Sequence, residues 1–235
     1  MENIFITSDL HFYHKNIIKY CNRPYSFDND GIHQMNEDIL SEFDKLPYGS
    51  IIYNLGDILL NSSKSVSDIA DIVARMKINN KKLILIMGNH DRELHRFIKS
   101  GDLYASSYDL LKDIGFDEVY KYPILLEDKY LLSHEPIYNG KDSKLNLIHG
   151  HTHDIDLDKD YFNRECENWA MMERVKKEAI SMQKNLDIDT KIKKLGKEIN
   201  PKNYFNVCWD KHHQILPFNE VIEYFKNTGD KIENL

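Results

Sequence analysis

Five apolar runs in this chain stop abruptly, and each stops at residues that can bind a metal or move a proton. Ile4-Phe5-Ile6-Thr7 runs into Asp9 and His11, and Ile51-Ile52-Tyr53-Asn54-Leu55 into Gly56-Asp57. Leu83-Ile84-Leu85-Ile86-Met87 runs into Gly88-Asn89-His90-Asp91. Tyr130-Leu131-Leu132 ends at His134, and Leu145-Asn146-Leu147-Ile148 leads to Gly150-His151-Thr152-His153. Short apolar runs bounded by Gly or polar turns read as buried strands. Between them Ile32, Met35, Ile39, Leu40, Phe43 and Leu46 share one helical face, as do Val66, Ile69, Ala70, Val73 and Met76. Strands alternating with helices predict an α/β fold. Ligands of such sheets gather outside the carboxyl ends of the strands, where all five segments fall.

Beyond His153 the pattern changes. Phe162, Cys166, Trp169, Met172, Val175, Ala179, Met182 and Leu186 recur at the spacing of a helical stripe. Ile192, Leu195 and Ile199 predict a second, shorter helix ended by Asn200-Pro201. Residues 155–202 are therefore expected to form a helical insertion within a single domain spanning 1–235. Its apolar stripe fits a surface helix packed on its own domain, with a seam for a homodimer or a cap over a substrate as the alternatives. The stretch Tyr204-Phe205-Asn206-Val207-Cys208-Trp209 and the stretch Gln214-Ile215-Leu216 read as closing strands. Asn219 is expected to cap a last helix through Val221, Ile222 and Phe225.

A net charge of -7 argues against an extended nucleic acid gripped by a basic face. No apolar run reaches membrane-spanning length, and Cys21, Cys166 and Cys208 show no paired spacing. Reduced thiols in a cytoplasmic protein, away from membranes, are the expectation. Two carboxylates, one asparagine amide and four imidazoles make an oxygen and nitrogen donor set without thiolate. Such a set suits Mn, Fe, Zn or Ni in a reactive centre more than a structural zinc.

In order, these segments resemble the signature of the calcineurin-like metallophosphoesterase superfamily: D-x-H, G-D, G-N-H-D, H and G-H-x-H. The resemblance covers residues 1–153 with every ligand position matched. The opening through Asn22-Arg23-Pro24 is similar to compact bacterial and phage-type members. The resemblance implies a β-sandwich flanked by helices (α-β-β-α), here with a helical insertion before the last strands. It implies two divalent metal ions, Mn in vitro with Fe, Zn or Ni as alternatives. Asp9, His11, Asp57 and His153 would hold one, and Asp57, Asn89, His134 and His151 the other.

A hydroxide bridging the metals would then attack phosphorus, with His90 assisting the leaving group and Asp91 orienting the His90 imidazole. Arg23 and His14 follow closely on Asp9 and His11 and are candidates for binding the substrate phosphate. The expected function is a phosphodiesterase acting on a small, nucleotide-like phosphoester. A phosphomonoesterase or protein phosphatase, and a non-catalytic metal-binding interaction scaffold, are the alternatives.

Overall fold

A computed structural model describes residues 3–59, 65–97, 106–138, 143–157, 161 and 199–229. Four parallel strands, β1 (Ile4–Thr7), β2 (Ile51–Asn54), β3 (Lys82–Ile86) and β4 (Glu118–Tyr120), make most of the first sheet. Its order is β4-β3-β2-β1-β9, with β9 (Leu216–Pro217) antiparallel to β1. The second sheet has the order β5-β6-β7-β8, from Ile124–Leu126, Tyr130–Ser133, Asn146–His149 and Tyr204–Asn206. Its last three strands are parallel, and β5 is antiparallel to β6. Two mainly parallel sheets flanked by helices agree with the α/β expectation.

Strand alternation explains how one run serves two cores. Phe5, Ile52 and Leu83 stand level in the register of β1, β2 and β3. They belong to a core with Met35, Ile39 and Phe43 of helix α2 (Asn29–Asp44) and Ile69 and Val73 of helix α3 (Val66–Met76). Ile6, one residue further along, falls in the other core, with Leu132 of β6 and Ile148 of β7. Both helices start where a side chain satisfies free backbone amides. The Asp28 carboxylate accepts from Gly31 N at 2.8 Å, and Ser65 forms a capping box with Asp68.

The closing segment differs from its sequence reading. Tyr204–Asn206 is a strand, but Trp209–His212 is a short helix rather than more strand. The Asn206 Oδ1 accepts from Cys208 N at 2.8 Å, a local bond that turns the chain out of the ladder. The C-terminal helix Phe218–Gly229 begins before Asn219, which lies in its first turn instead of capping it. The stripe from Phe162 to Leu186 and the helix through Ile192 and Leu195 lie outside the described residues. No described helix is long and apolar enough to cross a membrane.

Beyond the strands the ladder between β1 and β2 continues. Leu55 N donates to Thr7 O at 2.8 Å, Asp9 N to Gly56 O at 2.9 Å and His11 N to Asp57 O at 3.0 Å. A bridge between Ser8 and Cys208, with Trp209 N donating to Ser8 O at 2.9 Å, fastens the end of β1 to the chain after β8. Because Phe43 is fully buried in the first core, Phe43→Ala should cost about 3–5 kcal/mol. The midpoint of urea unfolding checks this, and a change under 1 kcal/mol would contradict the packing described (roughly the size of a volume-conserving swap).

Candidate metal centre

Backbone conformation gives the first sign that this end of the sheets is special. Asp9, His11, Asp57, His151 and His153 all have φ between 51° and 70°, in the left-handed region. Non-glycine residues visit that region rarely, and such strain persists where the surroundings impose it. Close approach of the loops adds a second constraint. A Cβ on Gly88 would lie 2.2 Å from Asp57 Oδ1, and one on Gly150 would lie 2.5 Å from Asp9 Oδ2. Both glycines leave room that the carboxylates fill.

The side chains converge as two adjoining groups. The donor atoms of Asp9, His11 and His153 lie within 4.8 Å of one another, and so do those of Asp57, His134 and His151. Asn89 Oδ1 is 3.0 Å from both His134 Nε2 and His151 Nδ1, which places the amide in the second group. Asp57 lies between the groups, its Oδ2 being 3.4 Å from His134 Nε2 and 3.9 Å from His11 Nε2. All seven residues predicted as ligands therefore meet at one place.

Hydrogen bonds set the tautomers. His134 Nδ1 meets the Leu55 carbonyl at 2.7 Å, so that nitrogen donates and Nε2 faces the cluster. His153 Nδ1 meets Asp210 Oδ2 at 2.7 Å, which leaves its Nε2 for the first group. Asp9 Oδ1 and both ring nitrogens of His11 are buried without a hydrogen-bond partner. A buried carboxylate oxygen and an imidazole lone pair left unmet in this way are costly unless something electropositive meets them. The donor set therefore fits divalent cations.

Charge follows the same logic. Burial, with Arg23 and His153 nearby, outweighs the Asp57 and Asp9 carboxylates and drives the His11 imidazole down to about 3, which keeps it neutral and able to coordinate. Burial also opposes charge on His134, but the Asp57 and Asp9 carboxylates outweigh it and raise the imidazole to about 10. His153 is likewise disfavoured by burial yet lifted to about 10, chiefly by its bond to Asp210. Asp57 sits well below the carboxylate range despite its burial, because His134 and His11 attract its negative form. Protons here stand in for cationic charge.

Four other residues take places the sequence did not foresee, or foresaw differently. Asp91 was expected beside the His90 imidazole, but its carboxylate accepts from three backbone amides. Oδ2 takes Asp57 N at 2.7 Å and Gly88 N at 2.9 Å, and Oδ1 takes Ile58 N at 3.1 Å. It locks the loop after β2 to the loop after β3. Arg23 was expected to reach phosphate, but it is buried and its five donors are all spent within the protein. Nε and Nη2 hold Asp210 at 2.6 and 3.0 Å, Nη2 also binds Asp9 O, and Nη1 binds Leu10 O and Met35 Sδ.

His14 does join the site. Its ring is 5.4 Å from that of His11 and 6.4 Å from that of His90, and its Nδ1 is buried without a partner. Burial, then His90, lower it to about 4. His90 opens helix α4 (Asn89–Phe97), where its backbone N donates to Asp57 Oδ1 at 2.9 Å and its Nε2 is 3.8 Å from Asp57 Oδ2.

Sequence reasoning missed Asp210 and the buried thiol of Cys208, which lies 3.1 Å from Asp9 Oδ2. The signal for Asp210 was present, a carboxylate closing the apolar run from Tyr204 to Trp209.

Comparison with known proteins agrees with this geometry. A family model described as calcineurin-like phosphoesterase matches residues 2–189. The chain is 29% identical over 168 residues to the uncharacterized protein MJ1445 of Methanocaldococcus jannaschii, covering 68% of this chain and 74% of that one. A crystal structure of the protein of unknown function AQ665 from Aquifex aeolicus is similar in fold. It has a TM-score of 0.50 at 20% identity and covers 94% of this chain and 97% of that one. Pseudomonas putida nuclease MPE aligns over 65% of this chain and 62% of its own, with a TM-score of 0.39 at 23% identity.

Two outcomes follow from the electrostatics. His134 and His153, both raised to about 10, must lose their protons to accept a metal, so Mn²⁺ binding at pH 7 should release about two protons. Affinity should therefore fall as pH is lowered. Calorimetric titration in buffers of different ionisation enthalpy measures the release, and a pH-independent affinity would contradict it. Arg23→Ala would strand the buried Asp210 carboxylate, so it should destabilise the fold by about 3–5 kcal/mol. A phosphate-binding role would instead raise KM and leave the unfolding midpoint unchanged.

Proposed function

We propose, for a chain that belongs to the calcineurin-like phosphoesterase family and is thereby a metal-dependent phosphoric ester hydrolase, that it cleaves phosphodiesters of small, nucleotide-like substrates at a two-metal centre. The observation that carries the two-metal reading is the position of Asp57. Its Oδ2 is 3.4 Å from His134 in one donor group and 3.9 Å from His11 beside the other. A carboxylate so placed can serve both. Asp9, His11 and His153 would hold one cation and Asn89, His134 and His151 the other. When bound, such cations supply Lewis acidity to a phosphoryl oxygen and make a nearby water acidic enough to act as nucleophile.

The protein's own groups do the rest. His90 stands on the open side, its side chain about one-third exposed, with its ring centre 5.4 Å from that of His11 in an edge-to-face arrangement. It is placed to give a proton or hydrogen bond to the departing oxygen. His14, beside it, offers a neutral imidazole to a phosphoryl oxygen or to the leaving group.

Among the described residues the site has no uncommitted permanent positive charge, and this supports the diester. Arg23 is fully engaged with Asp210 and backbone carbonyls. Arg92, on the helix that carries His90, is paired with Glu135 and the Met87 carbonyl. A phosphomonoester brings two negative charges and needs more cationic groups than these. A diester brings one, which the metals and neutral imidazoles can meet.

Side-by-side assays of bis-p-nitrophenyl phosphate and p-nitrophenyl phosphate with Mn²⁺ test the reading. The bis-ester should be preferred, and a chelator should abolish its turnover. His90→Ala should lower kcat by about 10²–10⁴-fold with metal content unchanged by elemental analysis. Preference for the monoester would overturn the diester assignment, and unchanged kcat would overturn the role of His90.

A further inference from the structure

A third donor cluster lies beside the two already described. The sulfur of Cys21, a nitrogen of His153 and an oxygen of Asp210 lie within 4.8 Å of one another. The three residues come from separate parts of the chain: the segment after helix α1 (Ile17–Tyr20), the loop after β7 and the short helix Trp209–His212. We propose that they form a separate cation site at the edge of the metal centre, one that takes a thiophilic divalent ion such as Zn²⁺ or Co²⁺. The inference does not depend on the substrate reading, although it shares His153 with the metal centre.

The three donor atoms face a common point. Cys21 is half-buried and in no disulfide. Asp210 is oriented by Arg23, whose Nε holds Oδ1 at 2.6 Å, so that Oδ2 is the oxygen facing His153. His153 Nδ1 and that Oδ2 stand 2.7 Å apart with a single proton between them. A cation entering there displaces this proton and the thiol proton, both to solvent, and forms bonds to sulfur, nitrogen and oxygen. Cys, His and Asp are ordinary zinc ligands, and three of them leave a fourth position open.

The neighbouring charges set which cations suit. The Arg23 guanidinium also reaches Oδ2 through Nη2, at 3.0 Å, and so opposes a second positive charge. A hard ion held mainly by the carboxylate would gain little. An ion that bonds strongly to thiolate gains most from Cys21. The main centre is different, since its seven donors are oxygen and nitrogen. Mn²⁺ should therefore favour the main centre, and excess Zn²⁺ or Co²⁺ should fill both, with His153 then bound through both nitrogens as an imidazolate and both of its ring protons passed to solvent.

Thiolate bound to Co²⁺ absorbs in the near ultraviolet, whereas Co²⁺ on oxygen and nitrogen donors shows only weak visible bands. The experiment is a Co²⁺ titration of the full chain, followed by absorption and by equilibrium dialysis for ions bound. The near-ultraviolet band is expected in the wild-type protein, in Cys208→Ala and in Cys166→Ser. It should be lost completely in Cys21→Ser, with one fewer ion bound and the visible bands retained. Circular dichroism and the melting temperature confirm that each variant is folded. Visible bands without a near-ultraviolet band in the wild type would overturn the thiolate site alone. A band that survives Cys21→Ser would also overturn it, by moving the thiolate elsewhere. Absence of all cobalt absorption and of bound ions would overturn both this site and the two-metal reading.

Discussion

Asp9 and Asp57 are carboxylates buried at neighbouring strand ends, and the rest of the site answers the charge they bring. Asp9 is fully buried and Asp57 nearly so. Removing a carboxylate from water costs several kcal/mol unless charge and hydrogen bonds compensate. Backbone amides and a thiol meet part of this: His90 N serves Asp57 Oδ1, and His151 N and the Cys208 thiol serve Asp9 Oδ2. Positive charge must meet the remainder, from protonated His134 and His153 or from cations in their place. A site that draws protons so strongly to imidazole is one that draws metals once those protons leave.

Holding such a centre requires loops that cannot relax away from it. Asp91 and the Arg23–Asp210 pair provide that. Three amides converge on Asp91, whose burial, with the negative charge of Asp57 beside it, raises its carboxyl to about 6. Arg23 binds the carbonyls of Asp9 and Leu10 on one side and Asp210 on the other. It thereby joins the loop after β1 to the helix after β8, and through Asp210 it fixes the His153 ring. These polar ties hold the left-handed conformations of the ligand loops against their intrinsic cost.

Much of this was legible in the sequence. The strand runs, the helical faces of 29–44 and 66–76 and the gathering of seven donors at strand ends follow from periodicity and from where each apolar run stops. What escaped was partnership across the fold. Arg23 reads equally well as a phosphate ligand or as a buried clamp, because its fork of donors suits both. Only the position of Asp210, 187 residues away, decides between them. Asp91 misled for the opposite reason, since its neighbour in sequence is His90 while its carboxylate points back to the amides of Gly88, Asp57 and Ile58. The end of β8 was misjudged because Asn206 turns the chain with its own side chain, a local bond that hydrophobic patterning does not register.

The division of cationic groups carries one more consequence. Arg23 and Arg92 are both committed to carboxylates, so among the described residues the groups facing the open side near the donors are the imidazoles of His14 and His90. An imidazole can change protonation during a reaction, whereas a guanidinium cannot. Arginines spent on architecture and histidines left at the opening suit a centre that must release a leaving group as well as hold a phosphate. A scaffold that only retained metal would have no use for that arrangement, because both rings stand beyond the seven donors that would hold the ions.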